Sequence, residues 1–112
     1  MKKIRYFKLT NKGLFVAQMQ VIWTGSDGKG NVSHGTYEPS EYHDICIHAE
    51  RTIDLADKST KIPDGAQVQL KVEVIAGKDK TATEKFIFSK DAGDTACYKI
   101  SGTTLSNTLK LQ

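Results

Sequence analysis

The sequence predicts an all-β fold, a two-layer antiparallel β-sandwich of about seven to eight strands. Three observations carry that prediction. Apolar residues recur with a period of two almost everywhere, and turn residues punctuate the chain at short intervals. No window longer than about ten residues has the three-and-four spacing of an amphipathic helix. The 112 residues make one domain, long enough to bury roughly 65% of the surface that the unfolded chain exposes. A closed barrel around a ligand cavity usually needs more chain, so the sandwich is the better reading.

The elements follow in order. An opening strand is expected over residues 3–10, and Asn11-Lys12-Gly13 has the composition of a tight hairpin connection. Phe15, Ala17, Met19, Val21 and Trp23 then alternate with Val16, Gln18, Gln20 and Ile22, as in a half-buried strand. Trp23 is expected to lie substantially buried beside Met19, Val21, Val72 and Phe86 or Phe88. Over residues 44–56, Ile45, Ile47, Ala49, Ile53 and Leu55 share one parity. Arg51 breaks it and suggests a bend or bulge there. After the turn Pro63-Asp64-Gly65, the cleanest alternation of the chain runs through Val68, Leu70, Val72, Val74 and Ala76. Shorter strands are expected at 85–89, with Phe86 and Phe88 inward, at 95–100, with Ala96, Tyr98 and Ile100 inward, and at 103–111. Gly77-Lys78-Asp79, Asp91-Ala92-Gly93-Asp94 and Ser101-Gly102 would close hairpins between them.

Asp94-Thr95-Ala96-Cys97-Tyr98 resembles the approach to the penultimate strand of immunoglobulin variable domains. The resemblance covers these five residues and stops at Ile100, where that family has its cysteine; Trp23 also precedes Cys46 instead of following it. It implies a sandwich whose late strand carries a buried tyrosine with a hydrogen-bonded hydroxyl; the topology expected of the fold as a whole is immunoglobulin-like or jelly-roll-like.

The net charge is +3, and its distribution is polarised. Basic side chains dominate residues 1–37, where Asp27 is the sole acid. Residues 38–57 carry Glu38, Glu41, Asp44, Glu50, Asp54 and Asp57 against Arg51 alone. Blocks this modest are expected to neutralise one another on neighbouring strands, the alternative being an acidic face that meets a partner. Nucleic acid is not an expected partner, because Lys/Arg runs and arginine-flanked aromatic series are missing beyond the first residues. Arg5, Lys8, Asn11 and Lys12 interrupt any apolar stretch after Met1, so no export signal and no transmembrane segment is read, and a cytoplasmic location is the default expectation. Asn31-Val32-Ser33 has the spacing of a glycosylation acceptor and is read as a chance match.

Cys46 and Cys97 both fall, by parity, on the side of their strands opposite the apolar one, so free thiols are expected. Acidic neighbours make Cys46 a poor nucleophile. Asp44, Cys46 and His48 would share a face of one strand, yet they form only one of the two ligand pairs that structural zinc sites use, and no metal is expected. Asp27-Gly28-Lys29-Gly30-Asn31 resembles a calcium loop in composition but lacks its carboxylates at the right spacing. Phosphate-binding, dinucleotide-binding, nucleophile-elbow and zinc-protease motifs are absent from the sequence. No cofactor and no catalytic residue is therefore assigned.

Residues 24–43 have no clear period and mark the expected site. Its first half is glycine-rich, whereas the second places His34, Tyr37, Glu38, Glu41, Tyr42 and His43 around Pro39. Tyrosines offer flat apolar faces with polar tips, and carboxylates accept hydrogen bonds from hydroxyls or amines. The bland alternative is an edge strand at residues 33–36 with Tyr37 or Tyr42 covering the rim. The reading is a small non-catalytic module that binds a carbohydrate, peptide or protein partner through its end loops. The alternative is a self-assembling or membrane-active protein, inclusion-forming or toxin-like, with edge strands available for homo-oligomers.

Overall fold

The computed structural model describes residues 1–26 and 29–112. Asp27 and Gly28, and with them the start of the calcium-loop-like stretch, lie outside the described residues. The chain forms β1 (Lys3–Ile4), β2 (Tyr6–Gly13), β3 (Ala17–Ser26), β4 (Val32–Tyr37), β5 (Glu50–Asp54), β6 (Gln67–Val74), β7 (Lys80–Thr81), β8 (Phe86–Phe88), β9 (Thr95–Gly102) and β10 (Asn107–Leu111). One 3-10 turn, Lys58–Thr60, lies between β5 and β6 and is capped by the Asp57 side chain, which accepts from the Ser59 amide.

Two sheets pack as a sandwich. One has six strands in the order β1-β8-β6-β3-β4 with β7 also on β6, and the other has four in the order β10-β9-β2-β5. Most inward positions are those that the alternation named: Ala17, Met19 and Val21 on β3, Val68, Leu70, Val72 and Val74 on β6, Phe86 and Phe88 on β8, and Ala96, Tyr98 and Ile100 on β9 are all buried, whereas Ala76, beyond the end of β6, is exposed with a φ of 58°. Phe7 joins the layers, its ring 5.9 Å from that of Phe86 in an edge-on arrangement and 6.2 Å from that of Tyr98.

The pairing is mixed, unlike the wholly antiparallel pattern expected. β1 runs parallel to β8 in the first sheet, and β2 runs parallel to β9 in the second. The two pairs form one bent ladder. Both chains leave the first sheet and enter the second side by side, and the Asp94 carbonyl receives the Arg5 and Tyr6 amides at that corner. Residues 91–94 are therefore a crossover between layers and not a hairpin.

Other local expectations are corrected. Asn11-Lys12-Gly13 is not a turn but the end of β2. Asn11 is fully buried there, donating from Nδ2 to the carbonyls of Phe15 (2.7 Å) and Ile45 (2.8 Å) and accepting from the Gly13 amide. Buried polar groups persist where they are hydrogen-bonded in this way. Residues 103–106 are a loop, and the final strand starts at Asn107. The segment 44–56 kinks before Arg51: Ile45 bridges Ala17, His48 has a φ of 68°, and the Ala49 amide bonds to the Cys46 carbonyl. Ile47 and Ala49 are exposed as a result. Asp44, Cys46 and His48 consequently do not line one strand face. Cys46 is an exposed free thiol and Cys97 a half-buried one.

Trp23 is only partly buried. It packs against the margin of the core toward the end of β3, where its indole covers Gly35 of β4; a Cβ on Gly35 would come within 3.0 Å of the ring. The charge blocks meet as the sequence predicts, because β2 pairs with β5: Arg5 bonds Asp54 at 3.0 Å and Lys8 bonds Glu50 at 3.2 Å.

Candidate functional site

Half of the expected loop is a strand. Residues 32–37 form β4, an edge strand hydrogen-bonded to β3 on one side, which is the bland alternative for that stretch. His34 pairs opposite Thr24 and is exposed, away from the other candidates. Residues 38–49 then cross from one sheet to the other along the flank of the sandwich.

Under that crossing lies a cavity of about 490 Å³, and Tyr37, Glu41, Tyr42 and His43 line it. Four of the six sequence candidates are thus brought together. Glu38 lies at its margin, with Oε1 3.7 Å from a buried His43 Nε2 that has no hydrogen-bond partner. The His43 ring is held at its other nitrogen, 2.6 Å from the Glu41 carbonyl oxygen. The opposite wall comes from residues that the sequence did not mark as a site, Glu50 to Asp54 of β5 together with Asp57. Arg51 donates from Nε to the Asp44 carbonyl at 2.9 Å, and its guanidinium carbon lies 5.6 Å from the centroid of Tyr42. Tyr42 is 74% exposed despite that contact. Asp57 accepts from the Ser59 amide and hydroxyl, which holds its carboxyl below the usual carboxylate range.

A second region stands out at the end of the sandwich where β2 and β9 finish and β3 begins. Three loops meet there: 14–16, 75–79 and 103–106. The Leu14 amide donates to the Gly102 carbonyl (2.9 Å), the Ile75 amide to that of Val16 (3.0 Å), and the Lys78 amide to that of Thr104 (2.8 Å). Asn107 Nδ2 ties Lys78 at 2.9 Å, and Asp79 accepts from the Val74 amide. Two glycines permit this closure: a Cβ on Gly77 would lie 2.3 Å from the Thr104 carbonyl oxygen, and Gly102 has a φ of +105°. On these tied loops the side chains of Leu14 (72% exposed), Leu105 (67%) and Ile75 (42%) point to solvent. Ile47 is 41% exposed on the kinked turn beside them, which is bonded to Asn11. The sequence hid this group because its members lie on four separate segments.

Among the described residues no group of His, Cys, Asp and Glu is arranged to hold a metal, and no helix is long and apolar enough to cross a membrane. No family model matches the chain, and no curated protein matches its sequence. Solved structures do match its fold. It is similar to part of listeriolysin O (18% identity, TM-score 0.52), covering 96% of this chain and 22% of that one. It is similar to part of a non-hemolytic pneumolysin from Streptococcus pneumoniae (16%, TM-score 0.53), covering 96% and 23%. It is also similar to part of a disulfide-locked mutant of intermedilysin, whose structure was solved with human CD59 (17%, TM-score 0.52), covering 96% and 24%. At these identities the likeness is one of fold: a β-sandwich domain found in toxins. The chain spans less than a quarter of the length of each.

Proposed function

We propose that this chain is a non-catalytic, toxin-like recognition domain that docks end-on against a lipid surface. The observation that carries the reading is the cluster of Leu14, Ile75 and Leu105 on three loops that are hydrogen-bonded to one another. Exposed leucines scattered singly need no explanation, but a group collected at one end of a body measuring 45 × 26 × 24 Å does. The hydrogen bonds matter as much as the side chains. Backbone groups carried into a bilayer lose water, and loops that already bond to one another lose least.

The size of the cluster sets the expected strength. Transfer of each partly covered aliphatic side chain contributes about 1–2 kcal/mol, so three supply about 3–6 kcal/mol before ordering costs. Binding by one copy is then weak and reversible, like that of a single lipid anchor. Such a domain works as one contact among several, which accords with the fold's place in much longer toxin chains.

Vesicle flotation tests the reading, using phosphatidylcholine alone, with phosphatidylserine, and with cholesterol. The expected result is co-flotation with at least one composition that falls about tenfold or more in a Leu14→Ser, Leu105→Ser double variant. Absence of flotation with all three, or equal flotation by the variant, would overturn it.

A further inference from the structure

The flank cavity lies on the long side of the sandwich, apart from the apolar end, and its chemistry is of a different kind. We infer that it is a carbohydrate subsite, taking a neutral hexopyranose of a glycan stacked on the open face of Tyr42. Its volume, about 490 Å³, lies within the range of about 300–1,000 Å³ usual for small-ligand sites.

Three features select the class of ligand. Tyr42 is a flat plate, backed by the Arg51 guanidinium and 74% exposed. A pyranose ring presents an apolar face of C–H groups to such a plate while its hydroxyls point sideways. Among the described residues Arg51 is bonded only through Nε, to the Asp44 carbonyl, which leaves its terminal N–H groups to donate to ligand hydroxyls. Glu41 and Asp57 have no basic partner among the described residues, whereas Glu50 and Asp54 on the same wall are paired with Lys8 and Arg5. The opening therefore combines carboxylates and a guanidinium that have no ion-pair partner among the described residues. Sugar hydroxyls donate and accept together and match such a mixed rim, while a ligand of either charge would meet its own sign on one side. A lipid tail would find too few apolar walls.

The test titrates the intact chain, labelled with nitrogen-15, with free lactose, mannotriose, chitotriose and 3′-sialyllactose. The expected result is saturable amide shifts around Tyr42 and Arg51 with at least one neutral sugar, at a Kd of about 1 mM or tighter. Tyr42→Ala and Arg51→Met should each weaken that binding by about tenfold or more. Because both side chains are exposed, the variants' unperturbed spectra elsewhere confirm folding. The Leu14→Ser, Leu105→Ser variant should bind the sugar as the parent does, which separates failure of this site from failure of the lipid-docking reading. Free lactose set against vesicles bearing lactosylceramide then distinguishes a soluble glycan from a glycolipid headgroup. No shift with any neutral sugar at about 10 mM, equal binding by Tyr42→Ala, or a tenfold preference for the sialylated sugar would each overturn the proposal.

Discussion

The hydroxyl of Tyr98, a residue 1% exposed at the centre of β9, donates a 3.1 Å hydrogen bond to Glu84 Oε1. Burial, and then the bond and charge of Glu84, push the tyrosine well above its ordinary value near 10. A folded state that resists ionisation is stable while the unfolded tyrosine is also neutral, and loses ground once the unfolded one ionises. Stability should therefore be unaffected by this group below about pH 10 and should fall above it. Urea denaturation between pH 8 and 11 measures the loss, and Tyr98→Phe, costing about 1 kcal/mol at pH 8, should flatten the alkaline slope.

Asn11 ties β2 to two other segments from inside the core. Asn11→Leu removes three hydrogen bonds and deprives the Phe15 carbonyl and the Gly13 amide of their partner, while the Ile45 carbonyl keeps the Ala17 amide, so a loss of about 3 kcal/mol is expected in chemical denaturation. A change within about 0.5 kcal/mol would mean that water replaces the amide.

Arg5 grips Asp54 with two bonds, Nε to Oδ1 at 3.0 Å and Nη2 to Oδ2 at 3.1 Å. The guanidinium lowers the Asp54 carboxyl below its usual value, so the pair stabilises above about pH 4 and its contribution disappears as pH falls through the lowered value. Both side chains are about one-third exposed, so solvent screening keeps the effect small. Arg5→Met and the parent should differ at pH 7 and converge near pH 2.

Gly77 allows the 75–79 loop to rest on the 103–106 loop. Gly77→Ala places a methyl against the Thr104 carbonyl and should cost about 1–3 kcal/mol. Amide exchange should accelerate at Lys78, whose bond to Thr104 must open, while β3 and β6 remain protected.

The alternation of β3, β6 and β9 was legible because strand period is a property of neighbouring residues: a side chain's face follows from its parity alone. For the same reason the cluster of Tyr37, Glu41, Tyr42 and His43 could be found, since one short segment carries it. His34, which the sequence grouped with them, lies on β4 and does not line the cavity, because the strand's own geometry governs its direction. Arg51 and Asp57, which complete the cavity wall, were read only as a break in parity and as charges.

What the tertiary structure alone decided is the set of contacts between distant segments. Nothing in the sequence around Asn11-Lys12-Gly13 distinguishes a turn from a strand end; parallel pairing with β9 over Gly13 and Gly102 settles it. That register, with Ala17 opposite Val74, is also what carries Leu14, Ile75 and Leu105 to one end. Inward parity is a local consequence of the pleat, but register is set by the packing of whole layers, so residues that meet at a sheet's end bear no mark of it in their own neighbourhood.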